Sequence, residues 1–199
     1  MPRKIIKIKG STMTKFKSFF RENGGVIGKS VINHIAMSIF GLMVCFSTKA
    51  INDILFWVSG VFAVGMHLFL QYMIQWELGS THHVRVYGEG EKPDRLLGLK
   101  ISLVKNSLLI LIALVMIALS FFITEDASMV NSVYAALKAS MMLFFESIYL
   151  PLLSVCGFSA MFLIVIIPDI LCCTISYICG LVGMKCIVPD KKKDKNQRS

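Results

Sequence analysis

Charge is what this sequence has least of. Charged residues make up 17% of its 199 residues, against about 25% in a soluble domain. Acidic residues are scarcer still, 12 against 21 basic ones. So few charges cannot coat a core built from 55% hydrophobic residues, which excludes an ordinary water-soluble domain. The long apolar runs do not alternate in polarity, and they are longer than the strands of a membrane β-barrel, which are about 10 residues long and alternate. Internal repeats are absent, and low complexity is confined to the tail around Lys191–Lys195.

Paired cysteine chemistry is also lacking. Cys45, Cys156, Cys172, Cys173 and Cys179 fall within or at the ends of apolar runs, where a thiol behaves as a small apolar group. No cysteine pair shows zinc-ligand spacing with a histidine. Cys186 stands beside the basic tail, a setting in which cysteines are acylated. The N-terminal stretch lacks the small-x-small cleavage pattern of a signal peptide, and its basic region runs to Lys29.

What is present is a ladder of apolar runs at about 30–48, 54–76, 101–124 and 155–184. Each is long enough to cross a hydrocarbon core of about 30 Å as a helix, which takes roughly 20 residues. A helix satisfies its own backbone groups in lipid. The chain therefore reads as an all-α membrane protein, a four-span helical bundle at 30–184 between a basic segment, 1–29, and a basic tail, 185–199. The stretch 131–153 is apolar but carries Lys138 and Glu146 and ends near Pro151. It reads as an additional amphipathic or re-entrant helix on the outer face. Pro168-Asp169 should kink the last span near its middle, because proline removes a backbone hydrogen bond. Trp57 and Trp76 bracket the second span as interfacial anchors. The following stretch, 77–98, holds Gly79, Gly88, Gly90 and Pro93 and reads as a polar loop with a short extended piece at Val84-Arg85-Val86.

The basic residues lie on one side of this ladder. With four crossings, Lys49 and Lys138 are the exceptions among the 21. The positive-inside rule then puts both termini in the cytoplasm of a multi-pass cell-membrane protein. The net charge of +9 reads as attraction to anionic lipids at the basic termini, with no nucleic-acid partner. Residues 1–29 alternate bases with Ile and Phe. Two forms stay open for them, a segment lying on the leaflet and a solvated tail.

Chemical motifs are weak. Asn23-Gly24-Gly25-Val26-Ile27-Gly28-Lys29-Ser30 is one residue from a nucleotide-binding P-loop, but no strand precedes it and an apolar span follows. His82-His83 have no further Cys or His nearby in sequence, and in an extended piece adjacent side chains diverge. No metal site and no cofactor are expected. The polar residues inside the spans are more informative: Asn33 and His34, His67 and Gln71, Lys105 and Asn106, and Asp169. His67 and Gln71 share a helix face. Such groups are costly in lipid and face a bundle interior or water. Asp169 cannot snorkel from midspan, and its depth makes His67 or Lys105 its partner.

Two functions fit. One is a non-enzymatic accessory or scaffold component, with a protein partner or a second copy of itself. The other is a small transporter or channel component with a polar cavity in the cytoplasmic half. An enzyme is not expected, since a lone Asp169 supplies neither a carboxylate pair nor an activated nucleophile.

The passage Tyr87-Gly88 … Asp94-Arg95-Leu96-Leu97-Gly98-Leu99-Lys100 and the ending Ile175-Ser176-Tyr177-Ile178-Cys179-Gly180 before a basic tail resemble those of a group of small, uncharacterised bacterial multi-pass membrane proteins. The resemblance covers about a quarter of the chain. It implies a bacterial inner-membrane protein and brings no functional residue with it.

The charge asymmetry generates a topology prediction. Reporter fusions at Ser199 and within 77–98 should both read cytoplasmic. A C-terminal fusion that reads external would require 131–153 to cross the membrane.

Overall fold

The computed structural model describes residues 12–90, 92–122, 128–155 and 160–184. The expectations for residues 1–11 and for the tail 185–199, including Cys186, lie outside the described residues. Within them the chain is helical, and four helices are long and apolar enough to cross a membrane, or five crossings if a bent segment also spans.

α1 (Thr12–Lys49) begins well before the expected start at residue 30. At 1.5 Å per residue its 38 residues reach about 57 Å, nearly twice the hydrocarbon thickness. Gly24, Gly25 and Gly28 lie within it although glycine disfavours helix. Tertiary packing decides the matter: Phe19, Val26 and Ile27 are held against Leu97, Ile101, Tyr177 and Leu181. The stretch resembling a P-loop is thus continuous helix. α1 turns into α2 (Asp53–Glu89) through Asn52, whose side chain caps the new helix by accepting from the Ile54 N–H at 2.7 Å. Lys49 and Asp53 pair across the turn.

The expected loop at 77–98 is mostly helix. α2 runs on through His82, His83 and Val84-Arg85-Val86, and ends at Gly90 in the left-handed region, φ 72°. The Gly90 N–H bonds back to Arg85 O. Gly79, read as a turn residue, has a different purpose. A β-carbon on it would overlap the Tyr177 carbonyl oxygen, and one on Gly180 would overlap the Trp76 carbonyl oxygen. The two glycines are where α2 and the last long helix, α7 (Ile166–Leu181), cross backbone to backbone, the small-residue contact favoured between membrane helices. Trp76 does not merely anchor there: its indole N–H donates to Met184 O at 3.1 Å.

α3 (Leu97–Ser120) starts one turn earlier than expected. The Asp94 side chain accepts from the Leu96 N–H at 3.1 Å and pairs with Lys100 at 2.6 Å. The next segment is bent. α4 (Ser128–Ser140) passes into a π-helical turn (Met141–Phe145), a 3-10 turn (Ser147–Tyr149) and α5 (Leu150–Val155), with a bend of 84° between its limbs. Of the two forms expected for the additional helix, amphipathic or re-entrant, the structure has a bent one whose central part is buried. Ser147, Ile148 and Tyr149 are buried, the Ser147 hydroxyl donates to Ser38 O, and Gly41 and Gly60 leave room for Ile148 and Pro151. The segment is an elbow driven between α1 and α2.

The break in the last span precedes the proline rather than coinciding with it. α6 (Met161–Ile164) and α7 (Ile166–Leu181) are separated by Val165. The proline ring clashes with the carbonyl four residues back, so the disruption falls near Ile164. Pro168 then sits in the first turn of α7, where a missing N–H costs little.

α2 packs most extensively on α7; α1 covers α2, α3 covers α7, and α1 and α3 meet only lightly. Two apolar clusters form. One, toward the basic end of the bundle, holds Ile27, Leu97, Ile101, Tyr177 and Leu181. The other, nearer the α1–α2 turn, centres on Met37, Met116, Met141, Ile148 and Phe162. Ile32, Ile35, Ile39, Met43 and Phe46 form an exposed stripe on α1, and α2, α3 and α7 expose similar residues. In water such patches would aggregate; against lipid they are the expected outer surface.

The α2–α7 crossing can be tested directly. Gly79→Ala or Gly180→Ala should lower stability by about 1–3 kcal/mol or more, the cost of overpacking. Gly24→Ala, with open space around it, should be neutral or stabilising. Thermal unfolding of detergent-solubilised protein checks both.

A candidate site at a buried ion pair

Between the two apolar clusters lies a polar layer. Its centre is Asp169, 2% exposed, in the first turn of α7. A carboxylate suits that position, because the helix N-terminus carries partial positive charge. Four contacts converge on it. Lys105 Nζ from α3 donates to Oδ1 at 2.7 Å and lies 2.6 Å from Oδ2. Asn106 Nδ2 donates to Oδ2 at 2.7 Å, and His67 Nε2 from α2 meets Oδ1 at 3.1 Å. Sequence depth offered His67 or Lys105 as the partner; the fold supplies both, and adds Asn106.

Proline and aspartate act together here. Pro168 fixes where α7 restarts, and Asp169 follows it at once. Lys105 and Asn106 are neighbours on α3, one helical step apart, and both reach the same carboxylate. Such a pair is expensive to desolvate, but close geometry and further hydrogen bonds offset that cost.

The other expected residues arrange themselves around this centre, with one exception. His34 of α1 meets His67 edge to face, ring centroids 5.0 Å apart. Gln71 Nε2 donates to Ser30 O at 3.1 Å. Asn33, one step round α1 from His34, is only half-buried and joins no described contact at the centre. Sequence reasoning missed Gln75, which extends the His67–Gln71 spacing by another turn and donates to Ser30 Oγ at 3.4 Å. His67, Gln71 and Gln75 are all fully buried. They form a polar file along α2 about 12 Å long, faced by Ser30 and His34 on α1.

Glu146 was the larger miss. The elbow carries it inside the bundle, 1% exposed, close enough to Asp169 and Lys105 to interact with both electrostatically. One of its oxygens, Oε1, has no hydrogen-bond partner among the described residues, and the same holds for the Tyr149 hydroxyl beside it. A carboxyl group in an apolar run, flanked by a proline, was the sequence signal. Its meaning depended on the elbow.

His82 and His83 lie on helix rather than in a loop. His82 Nδ1 bonds the Tyr177 hydroxyl at 3.0 Å, and Tyr177 in turn donates to Asp94 O at 3.0 Å. His83 Nδ1 donates to Leu181 O at 2.8 Å. Both tie α2 to α7. Among the described residues, no three His, Cys, Asp or Glu side chains converge closely enough to hold a metal ion.

From sequence alone, Asp169→Asn would be harmless to a purely structural site, since an amide still hydrogen-bonds. The geometry revises that. The amide would leave Lys105 buried without its counter-charge, a loss of about 3–5 kcal/mol. Lys105→Met in the same chain should recover part of the loss, because contacting residues couple. Unfolding of the two single variants and the double variant measures the coupling; additive losses would mean the ion pair contributes nothing.

No protein-family model matches this chain, and no curated protein or solved structure matches it either.

Proposed function

We propose that the protein is a non-enzymatic small transporter component of a bacterial inner membrane, with both termini cytoplasmic, and that the group it handles is a proton. One observation carries this reading: Glu146 is buried inside the bundle, within electrostatic reach of the Lys105–Asp169 pair, with its Oε1 unpartnered among the described residues. The pair is already neutral in sum. A third charge beside it would be uncompensated, and an isolated charge in a low-dielectric interior is very unfavourable. Glu146 therefore has reason to bind and release a proton, and Lys105 and Asp169 are placed to feel the change.

The surroundings are sided. His67, Gln71 and Gln75 lead from the centre toward the basic end, which the charge rule assigns to the cytoplasm. In the other direction Met37, Met116, Met141 and Ile148 close the bundle. Polar residues on one side and an apolar plug on the other suit a site loaded from one face. The elbow, with its π and 3-10 turns, is the element able to change that access, since such turns mark points where a helix can readjust. Four spans enclose little volume, so a second copy or a partner chain would complete a pathway, and the lipid bilayer with anionic lipids at the basic ends is the setting.

The accessory or scaffold reading has one observation in its favour. Asp169 is fully engaged by Lys105, Asn106 and His67, as an internal clasp would be.

The two separate in liposomes loaded with a pH-sensitive dye. Under an imposed potential, the reconstituted protein should acidify or alkalinise the lumen faster than empty liposomes do. Glu146→Gln, isosteric and uncharged, should fold with the same thermal midpoint and cut the rate at least tenfold. A wild-type rate equal to that of empty liposomes, or an undiminished rate in Glu146→Gln, leaves the clasp reading in its place.

A further inference from the structure

α1 and α3 flank a gap, and at the level of the polar layer that gap is a cavity of about 150 Å³. Its walls are Ile35, Leu108 and Leu109; its floor is His34, Lys105 and Asn106. Ile35 and Leu108 are 44% and 55% exposed, on the surface that faces lipid, whereas Leu109 and the floor are buried. The mouth therefore opens sideways into the bilayer, and the floor is the flank of the ion pair. Lys105 lies five positions beyond the exposed Lys100, about 7–8 Å deeper along the helix.

Three properties of this cavity define an occupant. Its size is that of an engineered apolar cavity known to hold benzene, about 150 Å³, so it admits one six-membered ring. Its floor can donate. An ammonium has three N–H groups and a primary amide two, and Asp169 engages Lys105 through its two oxygens and Asn106 through one. By that count each carries one more N–H than Asp169 engages. The floor's charge is already balanced, because Lys105 is matched by Asp169. An anionic head would place another negative charge beside Asp169 and Glu146.

We propose that this cavity is a lateral binding site for a neutral, oxygen-bearing six-membered ring on an alkyl tail, the chemistry of bilayer-dissolved phenols and quinones. The ring enters between Ile35 and Leu108, its oxygen accepts from Lys105 or Asn106, and the tail stays in lipid. The site goes beyond the proton reading and does not depend on it, since binding involves no flux.

The probe is para-decylphenol, radiolabelled and measured against the purified protein in nanodiscs. The expected result is saturable binding of about one molecule per chain above protein-free nanodiscs. Decylbenzene, which has the ring and tail but no oxygen, should compete at least tenfold more weakly, and so should dodecanoate, which has an anionic head. Ile35→Trp and Leu108→Trp narrow the mouth from the lipid side and should weaken binding at least tenfold at an unchanged thermal midpoint. Uptake no greater than by protein-free nanodiscs overturns the proposal. So does equal competition by decylbenzene, which would make the cavity a greasy gap, or stronger competition by dodecanoate, which would make it an anion site. The competition arms use the wild-type chain, so they decide the matter even if a tryptophan variant fails to fold. Glu146→Gln should bind the probe like wild type, which separates this site from the proton reading.

Discussion

The Lys105–Asp169 pair constrains everything around it. Two opposite charges in a membrane interior are tolerable only if they meet, and they can meet only if α3 and α7 lie side by side at one register. His67 brings α2 to the same carboxylate, and His34 brings α1 against His67. A single side chain in the first turn of α7 thus gathers all four long helices. Lipid supplies no hydrophobic force to do so, because its tails are as apolar as leucine. Direction has to come from polar contacts and from close fit, and this bundle uses the first at its middle and the second at its basic end.

Close fit is visible where glycine removes side-chain bulk. Gly79 and Gly180 let the backbones of α2 and α7 touch, and Gly98 lets α3 rest on Tyr177. Tyr177 is consequently enclosed, with its hydroxyl bonded to Asp94 O and to His82. At the other end, Gly41 and Gly60 admit the elbow. The polar layer lies between these two tight regions. Its ion pair ties the helices together at one level, and where α1 and α3 meet only lightly a cavity remains between them.

The elbow converts a membrane bundle with a neutral centre into one with a surplus acid. Without it, Lys105 and Asp169 would balance and the interior would hold only neutral polar groups. With it, Glu146 and Tyr149 arrive from a segment whose helix is interrupted twice, by a π turn and by a 3-10 turn. Interruptions at membrane depth are tolerated where they are covered by protein, and α1 and α2 provide that cover through Ser38, Gly41 and Gly60.

The sequence by itself determined an all-helical chain apolar enough for a membrane, the number of long helices and most of the costly residues. Those properties depend on local composition: a run of about 20 apolar residues has few alternatives to helix in lipid, and a midspan Asp169 or Lys105 is conspicuous in any register. The His67–Gln71 face was legible because i and i+4 coincide on any helix. Gln75 belonged to the same face and lay inside the expected span 54–76, so it was equally legible and was passed over. The loop drawn over 77–98 failed because glycine was read as a breaker, when Gly79 is a contact surface for α7. Only the tertiary structure could decide this, since the reason for Gly79 is the Tyr177 carbonyl, about 100 residues away. The same holds for α1, which stays helical through three glycines because Phe19 and Ile27 join the apolar cluster at the basic end, and for Glu146, whose burial depends on an 84° bend that no local pattern specifies. Composition fixes what lipid will accept; which polar groups meet inside is set by contacts between residues far apart in the chain.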